Sequence, residues 1–331
     1  MSCSARRTRF DRPAPCDPGH RLTLLDPRLD AFINRLRALP KAGSLADERA
    51  QWRRFCLDHN RPSPPSLQID DDVLQIEGRA IPLRWYRPKG GPHACIIYLH
   101  GGGWVLGDLD TQDTIAWGLA DAVGTALVSV DYRLAPEHPY PAAFDDSYAV
   151  LEYLSDNAGI LGIDAARIGL CGDSAGGNLS AAVCLAARDR GGPKVAAQAL
   201  LYPVMDTDTS TPSYNENADA PMLCRDEMEY YLDAYLGPLR ANADPYAMPL
   251  RAKDLGNLPP AWVHTAQFDP LRDEGQLFYR RLKDAGTDTE YRCAATMPHS
   301  FLRARFECPA AAAEFDALCD FLRTRLVGPT D

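Results

Sequence analysis

A serine flanked by glycines is the first feature of this sequence that could do chemistry. The segment reads Gly172-Asp173-Ser174-Ala175-Gly176. It lies between an apolar run at residues 167–171, which predicts a buried strand, and a segment with helical spacing at 175–188. Glycines leave room for a sharp strand-to-helix turn that exposes the serine hydroxyl, and the helix N-terminus directs amide donors there. A Gly-x-Ser-x-Gly segment also arises by chance, but this context favours Ser174 as a nucleophile.

Three consecutive glycines form a second segment that could take part in catalysis. It reads His100-Gly101-Gly102-Gly103-Trp104 and follows a predicted strand at residues 94–99. Acyl transfer develops negative charge on the substrate carbonyl oxygen, and each preorganised N–H donor there stabilises the transition state by about 3 kcal/mol. The Gly-x-Gly-x-x-Gly spacing of a dinucleotide site is absent. The segment therefore predicts an oxyanion loop, with His100 bracing it.

A serine hydroxyl is a poor nucleophile without a neighbouring base. Of the seven histidines, His299 has the most suitable position, because it follows the last predicted strand at residues 288–294. Functional groups on an open α/β sheet gather at the carboxyl ends of the strands. The others lie in the N-terminal segment, in linkers, in loops or within a strand: His20, His59, His93, His100, His138 and His264. The sequence therefore predicts His299 as the base.

A carboxylate must orient this base. Asp269 comes directly after a predicted strand at residues 261–266, at the same sheet edge. The order serine, aspartate, histidine along the chain is the one expected of a triad on such a sheet. Asp273 and Glu274 are rival carboxylates, and helix capping is the alternative role for Asp269. We favour Asp269 because of its place at the strand end.

Strands and helices alternate through most of the chain, which predicts a mostly parallel sheet with helices on both faces. Most of the predicted strands are continuous apolar runs, as in sheets buried on both sides. They lie at residues 73–76, 81–86, 94–99, 126–130, 167–171, 198–202, 261–266 and 288–294. The predicted helices lie at 111–123, 141–155, 175–188, 273–285 and 310–326. The sequence thus predicts an eight-stranded α/β sheet.

Two parts of the chain stand outside this alternation. Residues 1 to about 20 are predicted to be disordered, and helices beginning near Asp26 and Ser44 precede any strand. These two helices could form a surface layer or a lid. The stretch between residues 202 and 261 is too long for one crossover, and it contains a predicted helix at 226–235. Insertions of this kind commonly shape binding pockets.

Charge and cysteine content exclude several functional classes. The formal net charge is −10, so nucleic acids and anionic membrane surfaces would be repelled. The ten cysteines are scattered without a Cys-x-x-Cys pair, which indicates reduced thiols and gives no sign of a metal site. No apolar segment is long enough for a signal peptide or for a membrane span of about 18 residues. A cytoplasmic protein is the prediction.

Several segments together resemble the hormone-sensitive lipase family of α/β hydrolases. They are His100–Trp104, Asp131–Pro139, Gly172–Asn178 and Asp269–Glu274, and Gly107–Thr111 resembles the bacterial acetyl esterase branch. The similarity extends from about residue 70 to residue 325. It implies an α/β-hydrolase fold with a helical cap. It also implies cofactor-free hydrolysis of short- to medium-chain carboxylic esters through an acyl-enzyme intermediate.

The resemblance also assigns roles to individual residues. It implies a triad of Ser174, Asp269 and His299. It implies oxyanion donors at Gly102, Gly103 and Ala175. The supporting residues of the two motifs are His100, Gly101, Gly172, Asp173 and Gly176. Two positions depart from the family pattern: Ser300 stands where a glycine is usual, and Gln267 stands where an acidic residue is common.

The same resemblance divides the chain. Residues 1–65 are expected to form an N-terminal segment with cap helices, and residues 66–331 the hydrolase core, with a cap insertion at about 206–240. An amidase or acyltransferase with the same triad, a long-chain lipase and a non-catalytic ligand receptor remain as alternatives. The expected partner is a small-molecule ester, with neither nucleic acid nor stable membrane insertion. The sequence leaves open whether the protein forms a homo-oligomer.

Overall fold

A single mixed sheet of eight strands runs through the protein. The computed structural model describes residues 24–89 and 93–328, so the predicted disorder of residues 1 to about 20 lies outside the described residues. The strands are β1 (Leu67–Ile76), β2 (Arg79–Pro88), β3 (His93–Leu99), β4 (Ala126–Val130), β5 (Ile163–Asp173), β6 (Ala197–Leu201), β7 (Ala261–Phe268) and β8 (Thr289–Pro298). Their order in the sheet is β1-β2-β4-β3-β5-β6-β7-β8. All pairs are parallel except β1 with β2 and β2 with β4, which confirms the predicted α/β-hydrolase fold.

Helices cover both faces of this sheet. They are α1 (Asp30–Arg37), α2 (Leu45–His59), α3 (Asp113–Val123), α4 (Ala142–Asp156), α5 (Ala158–Leu161), α6 (Ala175–Asp189), α7 (Pro212–Glu216), α8 (Arg225–Leu236), α9 (Arg272–Asp284) and α10 (Pro309–Leu326). Side chains from α4, α6, α8 and α9 belong to one buried apolar cluster, and those from α1, α2, α3 and α10 belong to a second. The two clusters account for a sheet whose central strands are buried on both faces.

The central strands form where the sequence is continuously apolar. Every residue of β4 and β6 is buried, whereas exposed and buried residues alternate irregularly in the edge strands β1 and β8. A strand covered on both faces needs apolar side chains at every position, and an edge strand does not. The continuous runs of the sequence therefore predict the middle of the sheet well.

Several strands extend beyond the apolar runs that predict them. β1 begins at Leu67 rather than at residue 73, β5 ends at Asp173 rather than at 171, and β8 ends at Pro298 rather than at 294. Backbone pairing extends these strands through polar or small residues, as in the register of Asp173 with Leu201. As a result Ser174 and His299 each follow a strand end directly.

The helices outside the α/β alternation also form as predicted. Ser44 caps α2, because its hydroxyl accepts a hydrogen bond from the Asp47 amide at 3.1 Å. Phe32 of α1 and Phe55 of α2 are buried in the second apolar cluster, with ring centroids 5.3 Å apart. The insertion between β6 and β7 contains α7 and α8. Side chains of α1 and α2 belong to the second apolar cluster, and those of α8 belong to the first.

Candidate active site

The turn between β5 and α6 places Ser174 in a strained backbone conformation. Its φ is 56° and its ψ is −117°, a region that side-chain-bearing residues rarely adopt. The two flanking glycines permit this turn. A Cβ atom on Gly172 would overlap the carbonyl oxygen of Gly176, and one on Gly176 would overlap the carbonyl oxygen of Leu99. The glycines are therefore required by close backbone approach, as the spacing predicts.

Three predicted site residues meet at this edge of the sheet. The Nε2 atom of His299 lies 3.0 Å from the Oγ atom of Ser174, and its Nδ1 atom lies 2.7 Å from an Asp269 carboxylate oxygen. All three are nearly inaccessible to solvent: their exposed fractions are 5% for Ser174, 4% for His299 and 0% for Asp269. An ionised carboxylate can only accept, so Nδ1 carries a proton, and in a neutral ring Nε2 is then free to accept the serine proton.

The loop after β7 fixes the carboxylate of Asp269. Its second oxygen accepts a hydrogen bond from the Leu271 amide at 2.9 Å. The Asn217 side-chain amide donates to the Asp269 carbonyl oxygen at 3.2 Å, which ties the loop to the insertion. These contacts direct one carboxylate oxygen at His299 and leave the other to hold the turn.

The rival carboxylates are used elsewhere. Asp273 accepts hydrogen bonds from the Ser213 amide at 2.8 Å and from Arg272 at 3.0 Å. Glu274 accepts one from the Met205 amide at 2.8 Å, and burial raises the pKa of its carboxyl well above the ordinary value. Burial thus disfavours the charged form of Glu274, which an anionic partner of a histidine requires. The structure thus pairs His299 with Asp269 among the three candidates.

The glycine loop after β3 lies against the serine turn. Gly102 and Gly103 have φ values of 129° and 61°, which favour glycine at both positions. The Gly101 amide is occupied, because it donates to the Asp173 carboxylate at 2.9 Å. Within residues 24–89 and 93–328, no hydrogen bond engages the amides of Gly102, Gly103 or Ala175. These are the three amides that the resemblance implies as oxyanion donors.

Buried polar contacts brace this loop. The His100 ring stacks on Tyr132 with centroids 4.2 Å apart, and the Tyr132 hydroxyl donates to the His100 carbonyl at 2.6 Å. Asp173 also accepts a hydrogen bond from the Tyr98 hydroxyl at 2.6 Å. Asp173 therefore bonds the serine turn to the glycine loop, and Tyr132 braces the same loop at His100.

Aromatic residues of α8 cover the glycine loop from the insertion. A Cβ atom on Gly103 would overlap the ring of Tyr231, so that ring lies directly on the backbone of the loop. Trp104 and Tyr235 stack almost parallel, with centroids 4.1 Å apart. The sequence predicts an aromatic helix here but gives no sign of which side chains reach the loop. Their position depends on how the insertion folds back.

A further aromatic ring lies beside His299. The Tyr202 ring meets the imidazole edge-on at a centroid distance of 4.9 Å, and Phe301 contacts the same tyrosine at 5.6 Å. Tyr202 is fully buried, and burial raises the pKa of its hydroxyl well above the ordinary value. The phenol is therefore neutral, and it forms an apolar wall that limits the freedom of the imidazole. The sequence predicts for Tyr202 only a place at a strand end.

The backbone at Ser300 explains why glycine is usual at this position in the family. Its φ of 57° and ψ of 21° lie in the left-handed region, where glycine has no steric penalty. Gln267, the other departure, lies at the end of β7, and its side-chain oxygen lies 3.8 Å from the Cys293 sulfur. Neither side chain lies between His299 and its two partners.

The described part of the chain contains neither a cluster of metal ligands nor a membrane-spanning helix. Among residues 24–89 and 93–328, no group of three or more histidine, cysteine, aspartate and glutamate side chains is placed to hold a metal ion. None of the helices described here is long and apolar enough to cross a membrane. A hydroxyl, an imidazole and a carboxylate in line, beside free amides, can perform nucleophilic acyl transfer without further groups.

Comparison with known families and curated proteins agrees with this geometry. A family profile described as alpha/beta hydrolase fold matches residues 96–303. The chain is 44% identical to the carboxylesterase NlhH of Mycobacterium tuberculosis over 254 residues, which are 75% of this chain and 80% of that protein. It is 32% identical to an ethyl acetate hydrolase of Pseudomonas putida, with 84% of this chain and 92% of that protein covered.

Solved structures show the same similarity. An esterase from Pyrobaculum calidifontis superposes with a TM-score of 0.84 at 35% identity, covering 91% of this chain and 98% of that one. A thermostable esterase from Pseudomonas putida superposes with a TM-score of 0.85 at 31% identity, with the same two coverages. Sequence and architecture therefore agree over nearly the whole length of these relatives.

Proposed function

The chain belongs to the hormone-sensitive lipase family of α/β hydrolases and is a serine carboxylesterase, and we propose that Ser174, His299 and Asp269 are its catalytic triad. The observation that carries this assignment is the unbroken line of contacts from the Ser174 hydroxyl through His299 to Asp269. His299 is the histidine whose ring lies within hydrogen-bonding distance of Ser174. The amides of Gly102, Gly103 and Ala175 are proposed as the oxyanion hole.

Acylation begins at Ser174. The Nε2 atom of His299 accepts the hydroxyl proton while Oγ forms a bond to the ester carbonyl carbon. The carbonyl oxygen becomes an anion, which the three amides stabilise by hydrogen bonds. His299 then returns the proton to the alcohol oxygen as the carbon–oxygen bond of the ester breaks. The alcohol leaves, and the acyl group remains on Ser174.

Deacylation repeats these steps with water. His299 takes a proton from a water molecule as its oxygen bonds to the acyl carbon, and a second oxyanion forms in the same place. The proton then returns to Oγ as the acyl bond breaks, which releases the carboxylic acid. Asp269 holds the imidazole in the required tautomer and stabilises it while it is charged.

The N-terminal helices and the insertion are proposed to form a cap over this site. Residues 1–65 would supply the first part and residues 206–240 the second, as the sequence predicts. Support comes from α8, whose Tyr231 and Tyr235 lie on the glycine loop, and from α2, whose arginines bond loops at the same edge. An enclosed site of this kind suits short- to medium-chain esters, which we propose as substrates.

The alternatives derived from the sequence are not favoured. An amidase, an acyltransferase or a non-catalytic receptor could share the fold, but the relatives reported above are named for ester hydrolysis. A cytoplasmic location is proposed as well. It is supported by eight cysteines that are free of disulfides within the described ranges.

Hydrolysis of p-nitrophenyl acetate by purified wild-type protein and by Ser174→Ala tests the proposed function. Wild-type protein is expected to release p-nitrophenol with a burst, and Ser174→Ala is expected to lose turnover while it keeps its fold. Ser147→Ala is the matched control, because Ser147 is also buried but its hydroxyl donates to the Ala143 carbonyl in α4. Retained turnover in Ser174→Ala would refute the nucleophile assignment.

A further inference from the structure

Arg49, on the N-terminal helix α2, bonds the loops that frame the oxyanion glycines. Its Nε atom donates to the Val105 carbonyl oxygen at 2.9 Å, and its Nη2 atom donates to the Ala135 carbonyl oxygen at 3.0 Å. The guanidinium also forms a two-point ion pair with Glu137, with both distances at 2.8 Å. One side chain from the N-terminal region therefore bonds four acceptor atoms of three residues on two separate loops.

The two carbonyl groups belong to the same bonded unit as the glycine loop. The Val105 amide donates to the Gly102 carbonyl at 3.1 Å, and the Ala135 amide donates to the Trp104 carbonyl at 2.8 Å. The Gly102 carbonyl and the Gly103 amide belong to one peptide unit, so a displacement of Val105 would move a proposed oxyanion donor, and a displacement of Ala135 would move the neighbouring Trp104 carbonyl. Val105 and Ala135 each bond the glycine loop through the amide and Arg49 through the carbonyl oxygen. Arg49 therefore holds both residues in place against the loop.

The loop needs such support because its own conformation is unfavourable. Trp104 has a φ of 59°, which a bulky side chain rarely adopts without constraint from its surroundings. Val105 and Ala135 are 0% and 1% exposed, so water cannot readily replace Arg49 at their carbonyls. A guanidinium presents five donors in a rigid planar fork, whereas a lysine ammonium is a compact charge with three donors and cannot bond four widely spaced acceptor atoms.

We propose that Arg49 is a positioning residue for the oxyanion hole. It acts through the Val105 and Ala135 carbonyls, which fix the amides of Gly102 and Gly103 at the place where negative charge develops. Catalytic competence then depends on the docking of α2, because the side chain is supplied from that helix. This inference rests on the proposed esterase function.

Arg49→Met and Arg49→Lys test the proposal with p-nitrophenyl acetate as substrate. In both variants kcat is expected to fall about 10- to 100-fold while KM changes by less than about twofold, because the lost interaction favours the transition state over bound ester. Affinity for a trifluoromethyl ketone, which adds to the serine and forms an oxyanion, is expected to fall in parallel with kcat. Soluble guanidinium is expected to restore part of the activity of Arg49→Ala.

Two neighbouring variants separate this role from general attachment of α2. Glu137→Gln weakens the ion pair but leaves both carbonyl contacts of Arg49. Arg53→Gln removes the ion pairs from α2 to Asp108 and Asp110, and those contacts involve neither carbonyl. Both variants are expected to keep kcat and ketone affinity within about twofold of wild type.

Specific outcomes would overturn the inference. Wild-type kcat in folded Arg49→Met would do so, and so would equal losses of ketone affinity in Arg49→Met and Arg53→Gln, which would mean only that α2 had loosened. If Arg49→Met does not fold, Arg49→Lys and the guanidinium experiment decide the matter. Absence of ester hydrolysis in wild-type protein would instead refute the proposed function, so the two failures are distinguishable.

Discussion

The carboxylate of Asp173 accepts a hydrogen bond from the Gly101 amide at 2.9 Å, across the gap between the serine turn and the glycine loop. These residues are adjacent to the proposed nucleophile and to the proposed oxyanion donors, respectively. The same carboxylate accepts the Tyr98 hydroxyl at 2.6 Å. One side chain therefore sets the distance between two parts of the site that come from different strands.

Asp173→Ala is expected to lower kcat about 10- to 100-fold, because small displacements of catalytic groups reduce rate strongly. Asp173→Asn is expected to lose less, since its amide oxygen can still accept from Gly101. Steady-state kinetics with p-nitrophenyl acetate measure both effects, and circular dichroism checks that each variant is folded. A folded Asp173→Ala with wild-type kcat would show that the loop holds its position without this bond.

Asp269→Asn is expected to lower kcat by about four orders of magnitude, as in other serine triads. The asparagine amide would donate to Nδ1 of His299, which would place the imidazole proton on Nε2 and prevent it from accepting the serine proton. Single-turnover kinetics measure the change. Asp273→Asn is the matched control, because Asp273 bonds the Ser213 amide rather than His299. Comparable losses in both variants would contradict the assignment of Asp269.

Gly176→Ala is expected to prevent folding or to remove activity, because the added Cβ atom would overlap the Leu99 carbonyl oxygen. Gly159→Ala is the control: it lies in α5, and an added Cβ atom there meets nothing within 4 Å. That variant is expected to gain about 0.5 kcal/mol of stability from reduced chain entropy. Thermal unfolding of both variants checks the prediction, and a stable, active Gly176→Ala would contradict the observed packing.

The stability contributed by Glu314 is expected to depend on pH. Burial tends to raise the pKa of Glu314, but the His264 ring, 3.2 Å away, and two hydrogen bonds from Arg292 outweigh burial and lower the pKa to about 2 from the ordinary 4.5. The unfolded chain therefore takes up the proton first as pH falls. The contribution is present above pH 4.5 and is lost as pH falls toward 2.

Glu314→Gln is accordingly expected to be less stable than wild type by about 1 to 3 kcal/mol at pH 7, with a difference that shrinks as the pH falls below about 4. Urea unfolding at a series of pH values measures this. Glu290→Gln is the control, since Glu290 is 53% exposed and lies 3.9 Å from Arg325. A stability difference that stayed constant with pH would mean that the Glu314 contribution is packing rather than charge.

Tyr231→Ala is expected to shift the substrate preference toward longer esters, because the ring lies on the backbone of Gly103 and its removal would open space beside the oxyanion loop. The ratio of kcat/KM for p-nitrophenyl octanoate to that for the acetate is expected to rise about 10-fold. Tyr231→Phe should keep the wild-type ratio, and Tyr230→Ala on the same helix serves as control. An unchanged ratio in Tyr231→Ala would place the limit on chain length elsewhere.

Much of the site could be predicted from consecutive residues. The turn at Ser174 follows from glycines that leave space for close backbone contact, and the neighbouring strand and helix follow from hydrophobic spacing. The order of strands then places Asp269 and His299 at the same sheet edge, because parallel strands end on one side. Strand ends were less predictable. β8 extends to Pro298 by backbone pairing, which does not require an apolar side chain.

The tertiary structure alone decided the contacts between distant parts of the chain. The pairing of His299 with Asp269 rather than with Asp273 or Glu274 depends on how the loop after β7 is held by Leu271 and Asn217. Residues near one another in sequence share a turn or a helix face, so local sequence patterns predict their contacts. The direction of a side chain across a sheet edge depends on twist and packing of many elements together, which no local pattern records.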